Sequence, residues 1–254
     1  MAGFFRKGVV KLKLILRPKA HSRITKGFGS GLIWTHKVSD LRYLLGEYEP
    51  ELAIWLKSKM EQGYSFIDIG ANAGYFSLLA SKYSKSKTQR IIAVEPIKEN
   101  LRLISNHIEL NHLNSIEVLP IAVADNDRVV EFSASSNLAA NTYSETSSLH
   151  KNSPKIPIEA KCLDSICDKL ELKNFVVKID VEGAELDVLK GAKNTLIIHK
   201  PELMLATHEC HSKGVERDCI DFLKKLNYHC EPIKEEKFVP GQQDYLCIFR
   251  DLSK

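Results

Sequence analysis

The stretch SFIDIGANAGYFSLL, Ser65 to Leu79, decides how the chain is read. Phe66, Ile67 and Ile69 form a short apolar run, the pattern of a strand buried on both faces. Gly70-Ala71-Asn72-Ala73-Gly74 breaks the run, and Tyr75, Phe76, Leu78 and Leu79 resume at helical spacing. Strand, glycine turn and helix in that order put a helix N-terminus, with its N–H groups and positive dipole end, beside an anionic ligand. The glycines let the backbone pass close to it. Asp68, just before the turn, supplies an acceptor for a cationic or hydroxyl group. A ligand carrying both an ammonium and a carboxylate suits this pairing better than a pyrophosphate.

Working outward, Ile91-Ile92-Ala93-Val94 is a second buried strand and ends in Glu95-Pro96. An acid at this point, 21 residues after Gly74, can accept both hydroxyls of an adenosine ribose. The same acid would serve NAD, or would simply start a helix. A helix is predicted from Pro96 through Leu110 with Leu101, Ile104 and Ile108 inward, then a third strand over Ile116 to Leu119. Phe175 to Ile179 is a fourth buried strand with Asp180 at its carboxyl end. Gly183 allows a sharp turn into a helix, Ala184 to Leu189. Glu202 to Thr207 is a fifth strand ending in His208-Glu209. Val215 to Leu226 reads as an amphipathic helix, and Tyr228 to Ile233 and Tyr245 to Phe249 as a closing antiparallel hairpin. In an open α/β sheet, ligands bind outside the carboxyl ends of the strands, so Asp180, Glu182 and His208 face the same place as the glycine turn.

Three motifs narrow the class. DIGANAGYF at 68–76, LDSI at 163–166 and KIDVEGAELDVLKGA at 178–192 together resemble the FkbM family of class I methyltransferases dependent on S-adenosylmethionine (SAM), over roughly Tyr48 to His208. The resemblance implies a Rossmann-like fold of seven strands, mostly parallel with an antiparallel last strand, plus an N-terminal extension. It implies that Asp68, Gly70, Asn72, Gly74 and Glu95 hold SAM and that Asp180 and Glu182 order the acceptor side. In GEYEPEL at 46–52, Glu49 either approaches the cofactor or belongs to the acidic start of a helix. Asp125 either reaches the adenine amino group or serves the turn Asp125-Asn126-Asp127. Proton removal falls to Asp180, Glu182 or His208, with His208 also open to a purely structural role. Glu185 either offsets a helix dipole or touches ligand. The family suggests O-methylation of a hydroxyl on a sugar, glycan or polyketide-like small molecule. The absence of NPPY or DPPY lowers readings on nucleic acid or protein amides.

Two alternatives stay open. A nicotinamide oxidoreductase on a Rossmann core is weakened because Asn72 stands where the second glycine of G-x-G-x-x-G would admit a pyrophosphate. A non-catalytic SAM-fold binding protein predicts pocket acids that can be changed without loss. No metal is assigned. A variant with Asp180 and His208 or Glu209 on Mg²⁺ or Ca²⁺ is weighed against the larger number of oxygen ligands such cations take.

Charge is unevenly placed. Residues 1–37 carry nine Lys and Arg and no acid, while the rest carries 27 basic against 32 acidic groups. That segment suits either solvent or peripheral contact with an anionic membrane surface. The expected organisation is an N-terminal basic and helical extension over 1–62, a lid on the acceptor side, followed by a SAM domain over 63–254 with a flap-like insertion at about 129–162. The polar loop Ser135 to Lys155 reads as a flap near the acceptor or as a plain hairpin tip. Asp164 or Ser165 is expected to cap a short helix to Leu170. The six cysteines include no C-x-x-C pair, which suggests reduced thiols and a cytoplasmic enzyme, and no apolar run is long enough to span a bilayer.

Overall fold

The structure, a computed structural model, describes residues 20–37, 40–133, 155–233 and 240–251. In chain order the elements are β1 (His21–Arg23), β2 (Ile33–Thr35), α1 (Leu41–Leu45), α2 (Pro50–Glu61), β3 (Ser65–Ile69), α3 (Tyr75–Tyr83), β4 (Ile91–Val94), α4 (Lys98–Asn111) and β5 (Ile116–Leu119). Then follow β6 (Ala122–Val123), β7 (Arg128–Ser133), β8 (Lys155–Lys161), α5 (Leu163–Leu170), β9 (Phe175–Ile179), α6 (Glu185–Lys190), α7 (Lys193–Ile198), β10 (Leu203–His208), α8 (Val215–Lys225), β11 (Tyr228–Pro232) and β12 (Gln242–Phe249).

A seven-stranded sheet runs β11-β12-β10-β9-β3-β4-β5. Only β12 is antiparallel to its neighbours. This is the Rossmann-like methyltransferase arrangement expected from the motifs. β3 and β9 are adjacent at the centre, where the chain leaves in one direction through β4 and returns on the other side. Their carboxyl ends form the switch point. Both strands are buried along their whole length because helices cover both faces.

Alternation along the strands divides the core. Ile67, Ile69, Val177, Ile179, Leu203 and Leu205 pack with side chains of α5 to α8. Phe66, Val176 and Met204 face the other way, toward α1 to α4 and the N-terminal segment, whose Ile24, Leu32 and Trp34 are buried in the same cluster. Asp68, Lys178 and Met204 are register partners across β3, β9 and β10, so two charged groups lie on this second face.

Several local expectations are revised. The inward face of α4 is Asn100, Leu103, Ile104 and His107, with Leu101 and Ile108 only half-buried. The polar pair finds partners: Asn100 donates to Glu95, and His107 bonds Ala73 O and Thr35 N while stacking on Trp34. The cap of α5 is Cys162, whose sulfur accepts from Ser165 N. Asp164 instead accepts from Asn194 N and Thr195 N and so caps α7. Cys230 and Cys247 are cross-strand partners joined as a disulfide, against the expectation of thiols alone, while Cys162, Cys167, Cys210 and Cys219 are free.

The period-two stretches of the insertion form a second small sheet, β6-β8-β7. Residues 134–154, nearly all of the polar loop, lie outside the described residues. So do residues 1–19, which hold six of the nine N-terminal basic groups. No helix among the described residues is long and apolar enough to cross a membrane.

Candidate active site

Two turns meet at the switch point. The first, Gly70 to Gly74, takes left-handed φ at Gly70 (78°), Asn72 (51°) and Gly74 (85°). Gly70 is obligatory for a second reason: a Cβ there would fall 1.8 Å from the carbonyl oxygen of Asp180, so only glycine lets the two turns touch. Gly74 begins α3 without any side-chain cap, leaving the helix start to backbone donors. Asp68 is buried beneath the turn, where Oδ2 accepts from Ser77 Oγ at 2.6 Å and Oδ1 lies 3.9 Å from Lys178 Nζ.

Glu95 is 4% exposed and ties the first turn to the next helix. Oε2 accepts from Asn72 N at 2.8 Å, and Oε1 accepts from Ile97 N and from Asn100 Nδ2. Burial pushes its carboxyl up to about 7, only partly offset by the N–H donors of Ile97 and Asn72. Beside it is a small apolar recess lined by Ile69, Gly70, Val94, Val123, Phe132 and Val181. A flat heteroaromatic ring suits such walls. Small residues in the turn, a cap-free helix start, a buried carboxylate and an apolar slot together match the chemistry of an adenosyl group with an amino-acid tail, so the residues present fit SAM.

The second turn follows β9. Glu182 (φ 54°) and Gly183 (φ 103°) are both left-handed. Lys178, which the sequence reading passed over, is 4% exposed. Its Nζ donates to Asp180 Oδ2 at 2.9 Å and sits 5.3 Å from the centre of the Phe76 ring. Burial works against its ammonium, but Asp180, Asp68 and Glu49 outweigh that and raise its pKa. The signal was legible: a lysine inside the otherwise apolar FVVKI, level with Asp68 on the neighbouring strand. Glu49 is buried at the N-cap position of α2, makes no side-chain cap bond, and its charge contributes to raising Lys178.

His208, at the end of β10, is 2% exposed. Its Nδ1 donates to Glu185 Oε1 at 2.8 Å, and its Nε2 lies 3.6 Å from both Asp180 Oδ1 and Glu182 Oε2. Burial lowers its pKa, yet the hydrogen bond to Glu185 and the charges of Glu182 and Asp180 prevail and push it up to about 10. Glu185, in the first turn of α6, is fully buried and also accepts from Gly183 N. His211, also missed, pairs with Glu182 Oε2 at 2.9 Å.

Two residues weighed for the site stand elsewhere. Asp125 pairs with Arg128 across its turn and is not among the residues lining the cleft. Glu209 accepts from Gly214 N and Glu216 N and caps α8, so it does not join Asp180 and His208.

A family profile described as the methyltransferase FkbM domain matches residues 68–230, from the first turn to β11. The chain belongs to the FkbM methyltransferase family. This FkbM-family chain is similar to a crystal structure of methyltransferase FkbM from Methylobacillus flagellatus KT, with a TM-score of 0.53 and 19% identity over 96% of this chain. It spans only 60% of the length of that relative. An rRNA methylase from Streptococcus thermophilus matches at a TM-score of 0.50 and 7% identity, over 79% of this chain and 95% of the other. Identities this low carry the fold alone. No curated protein sequence matches the chain.

Proposed function

We propose that the chain transfers a methyl group from SAM to a hydroxyl oxygen of a sugar, glycan or polyketide-like small molecule. The observation that carries this reading is the adjacency of two unlike sites across Gly70 and Val181. One is an apolar recess next to the buried carboxylate of Glu95, and the other is a partly exposed pair of acids at the next strand end.

SAM, when bound, supplies an electrophilic methyl on a positively charged sulfur. The residues then have three tasks. Glu95 is positioned to accept the ribose hydroxyls while Asn72 N and Ile97 N hold its orientation. The first turn and the start of α3 take the amino-acid tail. Asp180 and Glu182, 20% and 27% exposed, orient the acceptor hydroxyl and receive its proton. His208 sits behind them at 3% side-chain exposure and fixes their spacing. Alignment of the reacting atoms supplies most of the rate, since the leaving group is already activated.

The experiment is incubation of the chain with methyl-labelled SAM and cell extract, followed by mass analysis of the labelled product. An oxygen-linked methyl on a small molecule or glycan supports the reading. Label found only in RNA or protein would refute the acceptor class.

A further inference from the structure

Asp180, Glu182 and His208 each present one ligand-type atom, and these three atoms lie within 4.8 Å of one another. The two carboxylates leave the second turn and His208 ends the adjacent strand, so one imidazole nitrogen and two carboxylate oxygens converge on one point from two elements.

The imidazole supplies a second, independent observation. Its Nδ1 is anchored to Glu185, which is itself fixed by Gly183 N, so the ring cannot turn freely. That leaves Nε2 between Asp180 Oδ1 and Glu182 Oε2, 3.6 Å from each, with Glu182 Oε2 also 2.9 Å from His211 Nδ1. At 3.6 Å no hydrogen bond forms, and none is made by Nε2 among the described residues. The spacing is instead that of ligand atoms around a shared cation with bonds of about 2.0–2.2 Å. An imidazole with its far nitrogen on a buried carboxylate is also the usual support behind a metal-bound histidine.

We propose that Asp180 Oδ1, Glu182 Oε2 and His208 Nε2 bind a divalent first-row cation, oriented by Glu185. One nitrogen with two carboxylate oxygens suits Mn²⁺ better than Ca²⁺ or Mg²⁺, which prefer all-oxygen sites. The remaining coordination positions face the opening, where Asp180 and Glu182 are exposed. Two neighbouring hydroxyls of an acceptor can occupy them. Such a cation would make an acceptor hydroxyl held there easier to deprotonate. This use of the ion rests on the methyltransferase reading; the binding of the ion does not.

The test is titration of the untagged, full-length chain with MnCl₂ alone, followed by loss of the free six-line electron paramagnetic resonance signal. One ion per chain is expected. Glu185→Gln should weaken binding about 10- to 100-fold, and Asp180→Asn and Glu182→Gln should each weaken it at least about tenfold. His208→Ala should abolish it. Because His208 is buried, the two carboxylate variants decide the matter if His208→Ala does not fold. No bound Mn²⁺ at millimolar concentration, or binding unchanged in Asp180→Asn and Glu182→Gln, overturns the site and leaves Asp180 and Glu182 paired with Lys178, His208 and His211. SAM binding measured on the same preparations separates the two readings. Its survival with failed Mn²⁺ binding removes only the cation site.

Discussion

The two turns after β3 and β9 use one backbone device for opposite ends. Each follows a fully buried strand, takes left-handed steps, and feeds a helix. In the first turn the side chains are small or amide, so the ligand meets backbone donors and an apolar cleft. In the second, the left-handed positions are Glu182 and Gly183, flanked by Asp180 and Glu185, so the ligand meets charge. On the proposed function, the contrast separates holding a cofactor from handling an acceptor: the two turns share geometry and differ in what they project. They touch at a single place, where Gly70 packs on the backbone of Asp180.

The largest expected effect therefore lies at that contact. Gly70→Ala puts a methyl 1.8 Å from Asp180 O at φ 78°, and the variant should lose more than about 4 kcal/mol or fail to fold. In Gly183→Ala the new methyl meets His211 Cβ at 2.9 Å at φ 103°, a side-chain contact and not the backbone overlap of Gly70, so a smaller loss of about 1–3 kcal/mol is expected. Urea unfolding of the pair measures the difference. Equal losses would mean that the turns do not depend on close backbone contact.

Lys178→Met removes the cation between Asp68 and Asp180 and leaves both carboxylates uncompensated. A loss of about 3–5 kcal/mol is expected, read from the denaturant midpoint. A neutral result would mean that Asp68 carries no charge when Lys178 is present.

For the first turn, SAM affinity should depend on pH through Glu95, whose carboxyl is raised to about 7. The ribose hydroxyls need the ionised form, so affinity should be steady above about pH 7. Below it, affinity should fall by up to about tenfold per pH unit as the group takes up a proton. Calorimetric titrations between pH 5.5 and 8.5 check this, and the slope should vanish in Glu95→Gln. The smallest effect belongs to Asp125→Asn, which breaks only a half-exposed pair with Arg128. It should change SAM affinity and stability by less than about 1 kcal/mol.

The sheet was legible because its strands are buried on both faces and read as uninterrupted apolar runs, as in SFIDI and FVVKI. The first turn was legible because small residues at fixed positions report backbone geometry directly. Polar groups inside the core were harder to read. Asn100 and His107 broke the apolar period of α4, since they are buried against Glu95, Ala73 O and Trp34, and the predicted face shifted onto Leu101 and Ile108. The sulfur cap at Cys162 has no compositional signature. Lys178 was passed over, and the pairing of Glu185 with His208 was not foreseen, for a related reason. Each owes its place to a partner on another element, Asp68 and His208, and pairings of that kind are set by register and not by local sequence.

The central claim is that a sulfonium nucleoside occupies the first turn and its cleft. Isothermal titration of the chain with SAM, with NAD as the comparison ligand and Glu95→Ala as the control, tests it most directly. The account predicts one SAM site per chain, no heat with NAD, and affinity weakened at least about 100-fold in Glu95→Ala, the loss expected on removing a charged hydrogen-bond acceptor. NAD binding in place of SAM, or SAM binding unchanged in Glu95→Ala, would contradict it.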